Sequence, residues 1–275
     1  MAGLPVETAG KIGDRPVYEF AVSSGDIKIS DFNGGIVTVS IPYTLKKDED
    51  PNAVLVYYID SSNSLTPVRG SYYNGTEEFT TTHFSRFAIG YKMVGFTDVT
   101  TSDSCYAAVT YLGAREIITG TGFEPNRAVT RGEAIVMLMK AYDIKPLADP
   151  RDNFSDAKGE FAGYYAKAKE IGLTVGVGNN RISAETPLTR EMLYTMVYNI
   201  KKYFGEFPVT AAPDIDNLTG SSSKFSSWSV NAAKKLVETG VLKPVDFNSI
   251  SPDSSSTMSN FANVLYTVLN RQSLN

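Results

Sequence analysis

An internal spacing constrains this chain more than any other feature. Phe96-Thr97-Asp98-Val99 and Thr130-Arg131-Gly132-Glu133 recur as Phe154-Ser155-Asp156-Ala157 and Thr189-Arg190-Glu191-Met192, at separations of 58 and 59 residues. Self-similarity at a fixed period marks a repeated supersecondary unit. A third, more diverged unit starts near Asp214-Ile215-Asp216 and places Thr257-Met258-Ser259-Asn260 at the Thr-Arg position, with Pro252 five residues before Thr257 as Pro125 is before Thr130. Positions 4, 7, 8 and 11 after each threonine are apolar: Ala134, Met137, Leu138, Ala141; Leu193, Met196, Val197, Ile200; Phe261, Val264, Leu265, Val268. That is one helical face, repeated three times. Earlier helices, rich in small and aromatic residues, are expected at about 104–116, 160–172 and 226–240.

The first 93 residues read differently. β-Branched and aromatic residues cluster at 17–22, 35–41, 53–59 and 86–91, between turn residues such as Asn33-Gly34-Gly35 and Asn74-Gly75. These are strand and hairpin signals without helical periodicity. The expected fold is multi-domain α plus β: an antiparallel β-sandwich over 1–93, then an all-α pseudo-threefold bundle over 94–275.

Composition excludes several classes of function. No apolar run approaches the roughly 18 residues of a membrane helix, so membrane insertion is not expected. Up to Gly95 the chain carries 8 basic and 11 acidic residues, and beyond it 18 and 19; without a cationic excess, nucleic acid is not an expected partner. One cysteine, Cys105, precludes an intramolecular disulfide, and with the single histidine, His83, it leaves too few soft ligands for zinc. Asp214, Asp216, Asn217 and Gly220 suggest a calcium loop, but Leu218 takes a ligand position and the terminal glutamate is missing. No metal or cofactor is expected. His83 and Ser85 share a strand face without forming a catalytic pair, and no isolated carboxylate pair suggests a glycosidase, so the chain does not read as an enzyme. Residues 1–8 lack the basic and apolar segments of an export signal.

The recurring polar residues carry the functional reading. Thr130 with Glu133 forms a capping box, and Thr189 and Thr257 cap in the same way. Arg131 and Arg190 then oppose the helix dipole. Each needs an anion, either an internal Asp or Glu or a ligand carboxylate gripped beside free backbone N–H groups. Asp98 and Asp156 can orient the arginines, cap the earlier helices or accept sugar hydroxyls. Gly120 and Gly176 lie in loops that let a ligand approach backbone amides.

These strings resemble the S-layer homology domain. The resemblance lies in Phe96 to Val99, Ile117 to Gly120, Phe123 to Pro125 and Thr130 to Glu133, and extends as three repeats at about 95–145, 153–205 and 213–272. It implies grooves between helices that bind secondary cell-wall polysaccharide, often through a ketal-linked pyruvate on a terminal amino sugar. By position, Arg131 and Arg190 would meet that carboxylate, the Gly120 and Gly176 loops would donate, and Tyr165 and Trp228 would face sugar rings. Departures are specific: Glu191 sits one place early with Met192 at the glutamate position, Ala184 replaces proline, and unit three has Met258 and Asn260 for Arg and Glu. The family's first-helix tryptophan aligns only with Trp228, against Ser104 and Glu160. The strand region, through Asp14-Arg15-Pro16 and His83-Phe84-Ser85-x-Phe87, is similar to modules that precede such repeats in surface proteins of Gram-positive bacteria.

The resemblance implies an extracellular, wall-associated protein of surface or S-layer type, anchored non-covalently through acidic polysaccharide. The alternative is a degenerate scaffold of the same fold that contacts other surface proteins without binding sugar, its arginines held in internal salt bridges.

Overall fold

The computed structural model describes residues 4–29, 32, 35–207 and 224–270. The expected start of unit three at Asp214, the calcium-like loop and the Asn33-Gly34 turn lie outside the described residues. These divide into two compact units, one ending at Gly122 and including Leu269 and Asn270, the other Phe123–Val268.

The first unit opens with helix α1, Val6–Ile12, followed by strands β1 Val17–Glu19, β2 Val22–Ser24, β3 Ile27–Ile29, β4 Val37–Pro42, β5 Val54–Ile59, β6 Leu65–Pro67, β7 Gly70–Tyr73, β8 Thr76–Thr81 and β9 Arg86–Tyr91, and ends with helix α2, Tyr106–Ala114. All pairings are antiparallel. One sheet has the order β1-β9-β5-β6, another β4-β8-β7, and β2 with β3 forms a separate hairpin. β8 buries Glu77, Phe79 and Thr81 and turns Thr76, Glu78 and Thr80 outward, the period of two that a strand with one covered face requires. Asn74 and Gly75 adopt positive φ between β7 and β8, as a tight hairpin turn demands. Ile41 and Phe79 pack with Val54, Val56, Phe87 and Ile89 in one apolar core.

The second unit contains α3 Arg131–Ala141, α4 Ala162–Glu170, α5 Arg190–Tyr203, α6 Val230–Glu238, α7 Pro244–Ser249 and α8 Met258–Leu269. The repeated apolar face is buried in α3 and α5; in α8 Phe261 and Leu265 are buried and Val264 and Val268 half-buried. α3 is covered nearly all round, as its run of apolar residues requires.

The expected β-sandwich followed by an all-α bundle is overturned; the fold is mixed α and β. The strand region carries α1, whose seven residues bury only Thr8 and Ile12, too few to show a helical period in sequence. The helical region is not purely helical. Antiparallel bridges join Ala128 to Thr257, Thr130 to Pro187 and Thr189 to Ser255. The cause is local: an N-cap residue keeps extended backbone angles, with Thr130 at φ −86, ψ 160 and Thr189 at φ −79, ψ 162. Each capping segment can therefore pair as a strand before it becomes a helix.

Candidate functional site

The three helix starts share one backbone arrangement. Thr130 Oγ1 accepts from Glu133 N at 3.2 Å while Glu133 Oε2 accepts from Thr130 N at 2.8 Å. Thr189 accepts from Met192 N at 3.3 Å, and Thr257 from Asn260 N at 3.1 Å. The next two N–H groups of each helix donate to chain carbonyls: Arg131 to Thr186 and Gly132 to Ala184, Arg190 to Ser254 and Glu191 to Pro252, Met258 to Arg127 and Ser259 to Pro125, all at 2.8–3.0 Å. The backbone donors expected to greet a ligand carboxylate are therefore already satisfied. What the helix starts offer a ligand must come from side chains.

Arg131 does not reach the surface. It is 3% exposed, its Nε donates to the Ile182 carbonyl at 3.0 Å, and its terminal nitrogens face Thr174 Oγ1 at 3.4 Å and Met192 Sδ at 3.3 Å. Burial alone lowers its pKa. Arg190 is half-buried, with a terminal nitrogen 2.8 Å from Asn260 Oδ1. Neither guanidinium has a carboxylate within ion-pair distance among the described residues. The buried cation of Arg131 is thus solvated by neutral acceptors, and it pins the 182–186 segment against the start of α3.

Residues 183–186 of that segment also wall an open groove of about 500 Å³, together with Asp156, residues 158–161, Arg181 and Tyr165 of α4. Asp156 accepts from the amides of Ile182 at 2.8 Å and Ser183 at 3.0 Å and from Arg181 Nε at 3.3 Å. Burial works to raise its pKa, but those amides and the Arg181 guanidinium outweigh it and hold the carboxyl below its ordinary value. Tyr165 is 5% exposed, and its hydroxyl has no hydrogen-bond partner among the described residues. Burial, then the carboxylates of Glu185 and Glu133, raise its pKa. Phe161, 39% exposed, adds an aromatic edge. The groove combines an apolar ring, a free hydroxyl and both signs of charge, which suits a polar ligand with an apolar face.

Other expected residues fall elsewhere. Glu133 is fully engaged, by the Thr130 amide and by both terminal nitrogens of Arg127 at 2.8 and 3.0 Å. Gly176, at φ 81, accommodates the Arg181 carbonyl and the Phe154 ring where a side chain would collide, and its N–H is taken by Thr174 Oγ1 at 3.1 Å. Trp228 is 54% exposed just before α6. Asp98 and Gly120 belong to the first unit; both are exposed, and Asp98 lies beside Gly122. The structure therefore brings Asp156 and Tyr165 together at one groove. Arg181, Lys158 and Glu185 were missed. Arg181 is 25 residues from Asp156 in no helical or strand register with it, so only the folded loop reveals the pair.

Comparison with known proteins bears on this geometry. Residues 95–135 match the S-layer homology domain family. An S-layer homology domain is present here. The chain is 27% identical over 260 residues to an amylopullulanase of Thermoanaerobacterium thermosulfurigenes, covering 90% of this chain and 14% of that one. It is 26% identical over 190 residues to exoglucanase XynX of Acetivibrio thermocellus, 66% of this chain and 17% of the relative. It is 24% identical over 153 residues to an S-layer protein of Bacillus thuringiensis subsp. finitimus, 53% and 18%. The chain thus spans less than a fifth of each relative's length. The S-layer homology domain and the S-layer relative support wall anchoring in general and point to a cell-surface or cell-wall location. Among the described residues no helix is long and apolar enough to cross a membrane.

Proposed function

We propose that this chain anchors a surface protein non-covalently to the cell wall by binding acidic, pyruvylated secondary wall polysaccharide, and that the groove beside Tyr165 is where a sugar sits. The observation that carries the reading is a tyrosine more than nine-tenths buried, its hydroxyl without a partner among the described residues, lining a groove that backs onto the helix start of the S-layer homology domain. The helices after residue 150 read as second and third domains of the same kind. The identical donor pattern at Thr130, Thr189 and Thr257 supports this.

Within this reading Lys158 meets the ligand's carboxylate, with Arg181, already paired to Asp156, beside it; these are the cations that line the groove. Arg131 is a positioning residue: it holds the Ile182 carbonyl and supplies fixed positive charge behind the wall. Phe161, and at a separate place Trp228, offer ring faces to sugars. Nothing in this recognition requires a bond to be made or broken.

Sedimentation with purified, protein-free walls tests it. The wild-type chain is expected to pellet, the Lys158→Ala/Arg181→Ala variant to need at least tenfold more wall, and walls stripped of pyruvate to release the wild type. Pelleting only with walls that retain their proteins would favour the scaffold reading instead.

A further inference from the structure

The groove's charges are unbalanced in a direction that acidity of the ligand does not explain. Asp156 and Arg181 neutralise each other at 3.3 Å. Lys158, Glu160 and Glu185 also line the groove, and none of them has an ion-pair partner among the described residues. One ammonium therefore faces solvent there against two carboxylates, one from each of the two chain segments that form the walls. Glu160 stands one residue before the N-cap of α4, and Glu185 lies close enough to Tyr165 to act on its hydroxyl.

A ligand bearing only negative charge would meet two repulsive groups for each attractive one, and such uncompensated like charge is how binding sites reject wrong partners. A ligand that carries its own cation reverses the balance. The hydroxyl of Tyr165, unpartnered among the described residues, can accept from an ammonium as well as donate to a sugar oxygen.

We infer that the groove selects a zwitterionic amino sugar: one whose nitrogen is a free, protonated amine paired by Glu160 and Glu185, while an acidic substituent of the same polymer faces Lys158. N-acetylation of that nitrogen removes the charge and adds an acyl group, so the acetylation state of the wall polymer sets attachment. This rests on the polysaccharide reading above and narrows its ligand.

The test uses polysaccharide released from purified walls and freed of peptidoglycan, either untreated or N-acetylated with acetic anhydride, titrated calorimetrically into the full chain. N-acetylation is expected to weaken binding at least tenfold. The Glu160→Gln/Glu185→Gln variant, altered only at exposed side chains and checked for folding by circular dichroism, is expected to bind the untreated polymer at least tenfold more weakly and to treat the two polymers alike. Equal wild-type affinity for both polymers overturns the inference and leaves wall anchoring standing, as does a folded double variant that still discriminates. Failure to bind either polymer overturns the anchoring reading itself.

Discussion

The hydroxyl of Tyr165 occupies the space where a side chain on Gly132 would begin. A Cβ there would stand 2.5 Å from the phenolic oxygen, 3.0 Å from Ala184 Cβ and 3.2 Å from its carbonyl. Gly132 is helical and has no need of positive φ, so alanine would be favoured by roughly 1 kcal/mol on helix propensity. Its absence is explained by the tyrosine. Gly132→Ala is expected to displace Tyr165 and to weaken polysaccharide binding at least tenfold, with a net stability loss of about 1–2 kcal/mol once overpacking is set against propensity. Adding Tyr165→Phe should recover part of the stability and none of the binding. Urea titration and calorimetry on the single and double variants read both quantities.

Glu191 takes the place in α5 that Gly132 takes in α3, and it fills its space with a carboxylate. It is 8% exposed and accepts from Ser229 Oγ at 2.8 Å and from the amide and hydroxyl of Ser226, each at 3.2 Å. Removing the carboxylate leaves the half-buried Ser226 amide and hydroxyl without that acceptor and the buried Ser229 hydroxyl with only the Ser226 carbonyl, 3.1 Å away. Glu191→Ala is expected to cost about 2–3 kcal/mol, and Glu191→Gln, which keeps one acceptor oxygen, about half of that. Trp228 lies between the two serines in sequence, so its fluorescence should report the loss directly during denaturation. An unchanged midpoint in Glu191→Ala would show that the serines find other partners.

Those two positions show what sequence can and cannot reveal. Thr130 and Glu133 declared a capping box because every atom involved lies within four residues, and the Asn74-Gly75 turn was readable for the same reason. Glu191 read as a cap glutamate displaced by one place, whereas its partners lie 35 and 38 residues away on the approach to α6. Arg131 read as the partner of a carboxylate, either internal or on a ligand, because a cation at a helix start calls for an anion. The Thr174, Ile182 and Met192 acceptors that replace the anion come from three segments with no shared periodicity. α1 escaped because seven residues with two buried positions carry no period. Local chemistry was legible, and pairing across segments was not.

Ser256 is fully buried where the capping segments meet, and its hydroxyl has no hydrogen-bond partner among the described residues. Its N–H donates to Leu188 and its carbonyl accepts from Val129, both apolar residues at 0% exposure. They precede Thr189 and Thr130 as Ser256 precedes Thr257. Ser256→Ala removes an unsatisfied oxygen without adding volume and is expected to stabilise the chain by about 0.5–1 kcal/mol. A destabilised variant in chemical denaturation would mean that the hydroxyl is satisfied in solution.

The first unit holds a buried pair, Glu77 and Arg115, whose titration is expected to make its stability depend on pH. Glu77 is 0% exposed on the inner face of β8, with Arg115 Nη2 3.5 Å from its Oε1 and no partner for Oε2 among the described residues. Arg115 is shared with the carbonyls of Gly70 at 2.9 Å and Val54 at 3.0 Å and lies over the Tyr111 ring at 3.7 Å, so little of its charge is left for the carboxylate. Burial therefore prevails over the attraction of Arg115 and pushes the Glu77 pKa up to about 8. A carboxyl whose pKa is higher folded than unfolded binds a proton on folding. Its contribution is complete below the unfolded value near 4.5 and is lost as pH rises through the folded value. Stability of this unit is expected to fall between those limits by about 1.4 kcal/mol per pH unit at most. Glu77→Gln, which cannot ionise, should flatten the profile whatever it does to absolute stability. Denaturation followed by circular dichroism at pH 5, 6.5 and 8 measures both slopes, and parallel profiles for the two proteins would show that Glu77 stays in one protonation state throughout.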